Sequence, residues 1–248
     1  GGPVLDEKGY LVGINGRAIP DIRTGTVTFV LGIGINTYLA ARNNSIPSRV
    51  SLFPAGQKFG AVDLLSRGLD KDKRGDYQGA IADYNQAILL NPNLAEAYNN
   101  RGLVFSKQGN FSGAIADYNQ AIKLDPNYAA AYNNRGLVQS GQDNFSGAIA
   151  DYNRALLLNP NLAEAYNNRG LVFSKQGNFQ DAIADYNQAI KLDPNLAAAY
   201  ANRGIILSGF GDKRGAIADF QQAATRYLQQ GNQANYQRLL DIIRELQR

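Results

Sequence analysis

The chain has 248 residues, 44% apolar and 19% charged, an ordinary globular composition that excludes a disordered chain. Its 25 basic and 21 acidic residues leave a net charge of +4 with no dense Lys/Arg cluster, so no nucleic-acid partner is expected. Neither cysteine nor histidine occurs, which removes disulfides, thiolate nucleophiles, histidine relays and the common zinc sites; no metal or cofactor is expected.

The first 42 residues lack any helical period. Pro3–Leu5 and Tyr10–Ile14 are short apolar runs around the turn DEKG, a hairpin signal. A third apolar run, VTFVLGIGI at Val27–Ile35, is far shorter than the roughly 18 residues that cross a bilayer, and no membrane insertion is expected. Asn36 then suits a cap for a short helix, TYLAAR. The sequence starts at Gly1 and contains no methionine, so it is expected to be a piece of a longer product. Residues 43–58, NNSIPSRVSLFPAGQK, are rich in turn formers and read as a linker.

From residue 59 the chain repeats. Pro92, Pro126, Pro160 and Pro194 follow one another at intervals of 34 residues. Each unit reads as two helices joined by a tight turn: the first over about Ala95–Gln108, a Gly109–Asn110 turn, and the second over about Ser112–Leu124, closed by Pro126. Ala114, Ile115, Tyr118, Ala121 and Ile122 recur at three- and four-residue steps, the helix period. One such hairpin cannot bury its apolar face alone, but stacked copies can. Five units are counted over residues 59–230, starting at Ala61, Ala95, Ala129, Ala163 and Ala197. Leu94–Asn127 and Leu162–Asn195 differ only at Ser112/Gln180 and Gly113/Asp181, as expected if a 68-residue double unit had been duplicated. In residues 231–248, Tyr236, Leu239, Leu240, Ile243 and Leu246 share one face, and a capping helix is expected over the last unit's open edge.

The positions of Gly102, Phe105, Ala114, Tyr118, Ala121 and Pro126 resemble the tetratricopeptide repeat pattern. That resemblance implies a mainly α architecture, an α-α superhelix of five hairpins plus a capping helix, preceded by a small N-terminal β fragment. The sequence departs from the pattern at Lys71 and Gln139, which stand at the large aromatic position, and at Leu228, which replaces the terminal proline.

Residues 1–42 resemble the C-terminal end of a trypsin-like serine protease, with Gly1-Gly2-Pro3, the hairpin GYLVGING and the segment FVLGIGINTYL, which has Gly34 where proline is usual. What that resemblance implies is limited. The family's serine would precede Gly1 and its histidine would lie far upstream, so no catalytic residue is assigned and this chain is not expected to be an enzyme, although its parent would be a bacterial serine endopeptidase with an extracytoplasmic setting. Asp6 and Asp21 read as turn residues. An isolated piece of barrel leaves strand edges open, so this segment is expected either to be poorly ordered or to be held by a neighbouring molecule through self-association.

The repeats carry the binding chemistry. In this family the first helix lines a concave face, and the resemblance places Asn99, Asn100 and Lys107, with Glu96 and Leu103, on it. The same holds for Asn133, Asn134 and Leu137, for Glu164, Asn167, Asn168, Leu171 and Lys175, and for Asn202. Amides offer donors and acceptors that suit the backbone of an extended peptide, an arrangement similar to the asparagine ladder of the O-linked N-acetylglucosamine transferase repeats. Equally, the amides could cap or bridge neighbouring helices. Asn100, Asn134, Asn168 and Asn202 are the line that persists in the diverged fifth unit, where Ala201 replaces the first asparagine; Asn99, Asn133 and Asn167 read as copies without a shared duty. Arg67, Arg101, Arg135, Arg169 and Arg203 each precede an aspartate by sixteen residues, at Asp83, Asp117, Asp151, Asp185 and Asp219, and read as pairs tying each hairpin together. The expected function is a protein–protein interaction scaffold that binds a protein or peptide segment. The alternative is a recruitment module for the protease.

Overall fold

In the computed structural model the chain divides between Lys58 and Phe59 into two units. The structure describes residues 59–248 and, ahead of them, four short strands: β1 (Val4–Leu5), β2 (Leu11–Gly13), β3 (Ile19–Pro20) and β4 (Val27–Thr28), with β1 antiparallel to β2 and β3 to β4. The protease-like reading of residues 1–42 rests on the sequence alone. The helix after Asn36 and the linker at 43–58 lie outside the described residues.

The second unit is eleven helices: α1 (Ala61–Lys73), α2 (Tyr77–Leu90), α3 (Ala95–Lys107), α4 (Phe111–Leu124), α5 (Ala129–Gly141), α6 (Phe145–Leu158), α7 (Ala163–Lys175), α8 (Phe179–Leu192), α9 (Ala197–Gly209), α10 (Lys213–Gln229) and α11 (Gln233–Leu246). The five first helices start at the residues anticipated from the 34-residue period. Starts and stops have local causes. Asp76, Asn110, Asn144 and Asp212 cap the second helices by accepting the backbone N–H three residues on. The residue before each repeat proline is extended, with φ −138° at Asn91 and −131° at Asp125. Without a proline at Leu228, α10 runs for 17 residues where the other second helices have 14.

The core is divided into blocks that each cross a repeat boundary. Ala80 and Tyr84 of α2 pack on Val104 of α3; Ala114 and Tyr118 on Val138; Ala148 and Tyr152 on Val172; Ala182 and Tyr186 on Ile206. Each fully buried aliphatic contributes roughly 1.5–3 kcal/mol. The units therefore depend on their neighbours, which is the energetic definition of a solenoid. Within a hairpin the helices approach closely because Gly102 sits against the tyrosine ring: a Cβ there would lie 2.9 Å from Tyr118 Cε1.

Both ends of the array are sealed. Where inner units bury Ala97 and Val104, α1 presents Asp63 and Asp70 to solvent. At the other end α11 inserts Leu239 and Ile243 among Ala216, Phe220 and Ala223, as a further first helix would. The expected capping face is confirmed with one adjustment: Ile242 packs into this block, while Leu240 is half-buried outside it. No helix of the described residues is long and apolar enough to cross a membrane.

Candidate interaction groove

Successive first helices, α1 to α9, touch one another, whereas among the described residues successive second helices do not. The array therefore bends with the first helices on its inner side, and their free faces line the groove. Glu96, Asn100, Leu103 and Lys107 recur at three- and four-residue steps along α3 and so share one face.

The paired asparagines on that face bond to each other. Asn202 donates its amide to the carbonyl of Asn167 at 3.0 Å, Asn167 to Asn168 at 3.3 Å, and Asn168 to Asn133 at 3.3 Å. The chain continues from Asn133 to Asn134 at 3.5 Å, from Asn134 to Asn99 at 3.0 Å, and ends at Asn100, which accepts from Asn99 at 3.1 Å. Seven amides thus run in one direction across four units. It stops at one end because α1 has Leu65 and Ser66 at these positions, and at the other because Ala201 has no amide.

This corrects the sequence reading of the first asparagines. Asn99, Asn133 and Asn167 share a duty: they are the buried members, 5%, 7% and 8% exposed, each accepting from the following unit. The second asparagines are half-buried at the groove and hold the other side of each bond. The sequence separated the two by which one persists in the fifth unit but could not assign their roles, because burial distinguishes adjacent helical positions only once the neighbouring unit is in place. Tyr128 adds a local variation: burial and the charges of Glu96 and Asp125 push its phenol up, against an opposing hydrogen bond with Asn99.

The two lysines assigned to the groove part ways. Lys107 is exposed but committed, its Nζ 2.8 Å from Asp72 of the preceding unit. Lys175, at the equivalent place two units on, has Ser140 opposite where Lys107 has Asp72, and its Nζ lies 5.5 Å from the Phe145 ring centroid. The Lys107–Asp72 pair joins residues 35 apart in different units, a contact that no local signal in the sequence marks.

The five Arg–Asp pairs form as expected. Arg101 contacts Asp117 through Nε at 2.7 Å and Nη2 at 2.6 Å, and the other units repeat this fork. The structure adds a second bond: the remaining guanidinium nitrogen of Arg101, Arg135, Arg169 and Arg203 donates to Asn85, Asn119, Asn153 and Asn187 of the preceding second helix. Each arginine therefore ties its hairpin and its neighbour at once. The departures at Lys71 and Gln139 join the same site, donating to Asp83 at 2.8 Å and Asp151 at 3.1 Å. They replace an aromatic contact with a polar one. Burial works against the Asp83 charge, but the Arg67 and Lys71 bonds outweigh it and hold the carboxyl below its ordinary range.

Beside the amide ladder runs a row of aliphatic side chains: Leu69, Leu103, Leu137, Leu171 and Ile205, one per unit. Leu137, Leu171 and Ile205 are 48%, 36% and 59% exposed, although the residues that follow them, Val138, Val172 and Ile206, are buried in the core.

Family models for the tetratricopeptide repeat match residues 95–128, 163–196 and 117–150, and a TPR repeat model matches 73–109 and 142–177, so that together they tile half of the chain. No curated protein matches the chain by sequence. Among solved structures the chain is similar to MamA, with 29% identity, a TM-score of 0.56, and 66% of this chain and 96% of that chain covered. It shares its fold with YrrB, described as a TPR protein with an unusual peptide-binding site, at 20% identity, TM-score 0.52 and coverage of 67% and 86%. A thermophilic TPR protein of Thermus thermophilus has the same fold, at 20% identity, TM-score 0.63 and coverage of 73% and 99%. The repeat-boundary cores, the sealed ends and these matches together make the chain a member of the tetratricopeptide repeat family.

Proposed function

We propose that this chain is a protein–protein interaction scaffold that holds an extended segment of a partner protein in the groove of its first helices. The observation that carries the reading is the register of that face: the amide line Asn100, Asn134, Asn168 and Asn202 and the exposed aliphatic row repeat once per unit on the concave side, a lattice matched to a chain that is itself periodic. Among the described residues Lys175 is the cation of this face without an acidic partner, and Lys107 offers only what Asp72 leaves. The buried Asn99, Asn133 and Asn167 act behind the surface, fixing where the second asparagines stand. A peptide-binding site in a structure of the same fold is consistent with this reading. The recruitment of a trypsin-like protease, and self-association through residues 1–42, rest on the sequence of that segment alone.

The test is to select binders from a random extended-peptide library on the full chain and map them by amide hydrogen exchange. Protection is expected in α3, α5, α7 and α9. Protection confined to α2, α4, α6 and α8 would place the partner on the convex side and sink the groove.

A further inference from the structure

Resting on the groove reading above, we infer that the partner is chosen by the aliphatic row and the free carboxylates Glu96 and Glu164, not by the asparagines. The groove takes an extended segment with aliphatic side chains toward Leu103, Leu137, Leu171 and Ile205 and Lys or Arg toward the end of the first helices where the glutamates stand.

The first reason is the state of the amides. Asn134, Asn168 and Asn202 each donate to the preceding unit, each buried asparagine both donates and accepts, and Asn100 at the end of the ladder accepts from Asn99. An amide swung out to grip a peptide would break a bond between repeats and leave a buried acceptor unpaired. The ladder is thus a structural spine with spare capacity, not a free set of hooks.

The second reason is the exposure of the aliphatics. Leu69, Leu137, Leu171 and Ile205 are exposed and Leu103 is half-buried, and these five in-register aliphatic side chains beside a polar line form an apolar strip of the sort that marks an interaction site. The exposure is not a by-product of helix geometry, since the neighbouring Val138, Val172 and Ile206 already supply the core contact.

The third reason is charge. Asp72, Asp83, Asp117, Asp151, Asp185 and Asp219 are all ion-paired within the repeats. Glu96 and Glu164 are exposed and make no ion pair among the described residues. They stand two turns before Leu103 and Leu171 on the same helix faces, so their charge falls at one margin of the strip. Lys175 lies at the opposite end of α7, and Lys107 is neutralised by Asp72. A cationic partner is favoured along the glutamate margin, and an anionic one is repelled there.

The experiment uses the full chain and fluorescence polarisation with labelled peptides of about twelve residues: repeating Val-Lys-Leu-Ser, its Val-Glu-Leu-Ser counterpart, and a Gly-Asn-Gly-Ser control. The lysine peptide is expected to bind about tenfold or more tightly than the glutamate peptide at low salt, with the difference shrinking as salt rises. Leu137→Ser with Leu171→Ser should lower its affinity about tenfold. Glu96→Gln with Glu164→Gln should erase the discrimination while leaving helix content unchanged. Equal binding of both charged peptides, or indifference to the leucine changes, overturns the inference. If binding instead falls only with Asn134→Ala in a variant of unchanged helix content, the groove stands and this inference fails. If no peptide is held, both fail.

Discussion

Asn134 donates its side-chain amide to the carbonyl of Asn99, 3.0 Å away and 35 residues earlier, across the boundary between two repeats. The bond turns a residue that is unfavourable in a helix into an element of register. Repeats packed only by Ala, Val and Tyr could slide or tilt at small cost, whereas a directional amide contact fixes one relative position.

Removing a buried member should therefore destabilise the fold. Asn133→Ala leaves the amide of Asn168 without its acceptor and should cost about 1–3 kcal/mol in urea denaturation. Unchanged stability would return the asparagines to a purely surface role.

Asp143 should be improvable. It has φ +59° in the turn before α6, where Gly75, Gly109, Gly177 and Gly211 have φ from 76° to 83°. Asp143→Gly relieves the left-handed strain and should raise stability by about 0.5–1 kcal/mol, read as an upward shift of the thermal midpoint. A fall would show that the aspartate side chain offsets its own backbone cost.

Among the described residues the buried hydroxyls of Tyr84, Tyr152 and Tyr186 have no hydrogen-bond partner, and the fifth unit has Phe220 in their place. Tyr152→Phe removes an unsatisfied group from an otherwise unchanged ring, so stability should be equal or up to about 1 kcal/mol higher. A loss of about 1 kcal/mol or more on denaturation would mean that the hydroxyl makes a bond worth keeping.

Acid should loosen the first hairpin through Asp83. Its carboxyl is held low by Arg67 and Lys71 against the effect of burial, so folding disfavours its protonation. The stabilisation is complete above the unfolded value of about 3.9 and is lost as pH falls through the depressed folded value. Asp83→Asn should be less stable at neutral pH and should lose less on acidification. Parallel pH profiles for the two proteins would contradict the assignment.

Gly170 lies under Tyr186, where a Cβ would come within 2.9 Å of Cε1 and 3.2 Å of the Ala182 carbonyl. Gly170→Ala should cost about 1–3 kcal/mol, because backbone as well as ring must move. Thermal unfolding at the wild-type midpoint would show that the hairpin can open without penalty.

The sequence by itself determined the period, the five hairpins, their start residues and the Arg–Asp pairs, since these rest on local signals: proline at fixed intervals, helical spacing of Ala and Tyr, and a recurring sixteen-residue offset within one hairpin. Only the tertiary structure decided what happens between hairpins. Adjacent asparagines differ in the sequence only in which of them persists in the fifth unit, whereas packing of the next unit makes the first the buried acceptor of that unit's amide and leaves the second half-buried at the groove. Lys107 and Lys175 occupy copied segments and differ because residue 72 is aspartate and residue 140 is serine. The exposed Leu137 and buried Val138 are likewise neighbours in sequence, separated by which side of the helix the following hairpin covers. Inter-repeat contacts join residues about 35 apart through geometry that local propensity does not encode, so the scaffold could be read from the chain and the character of its groove could not.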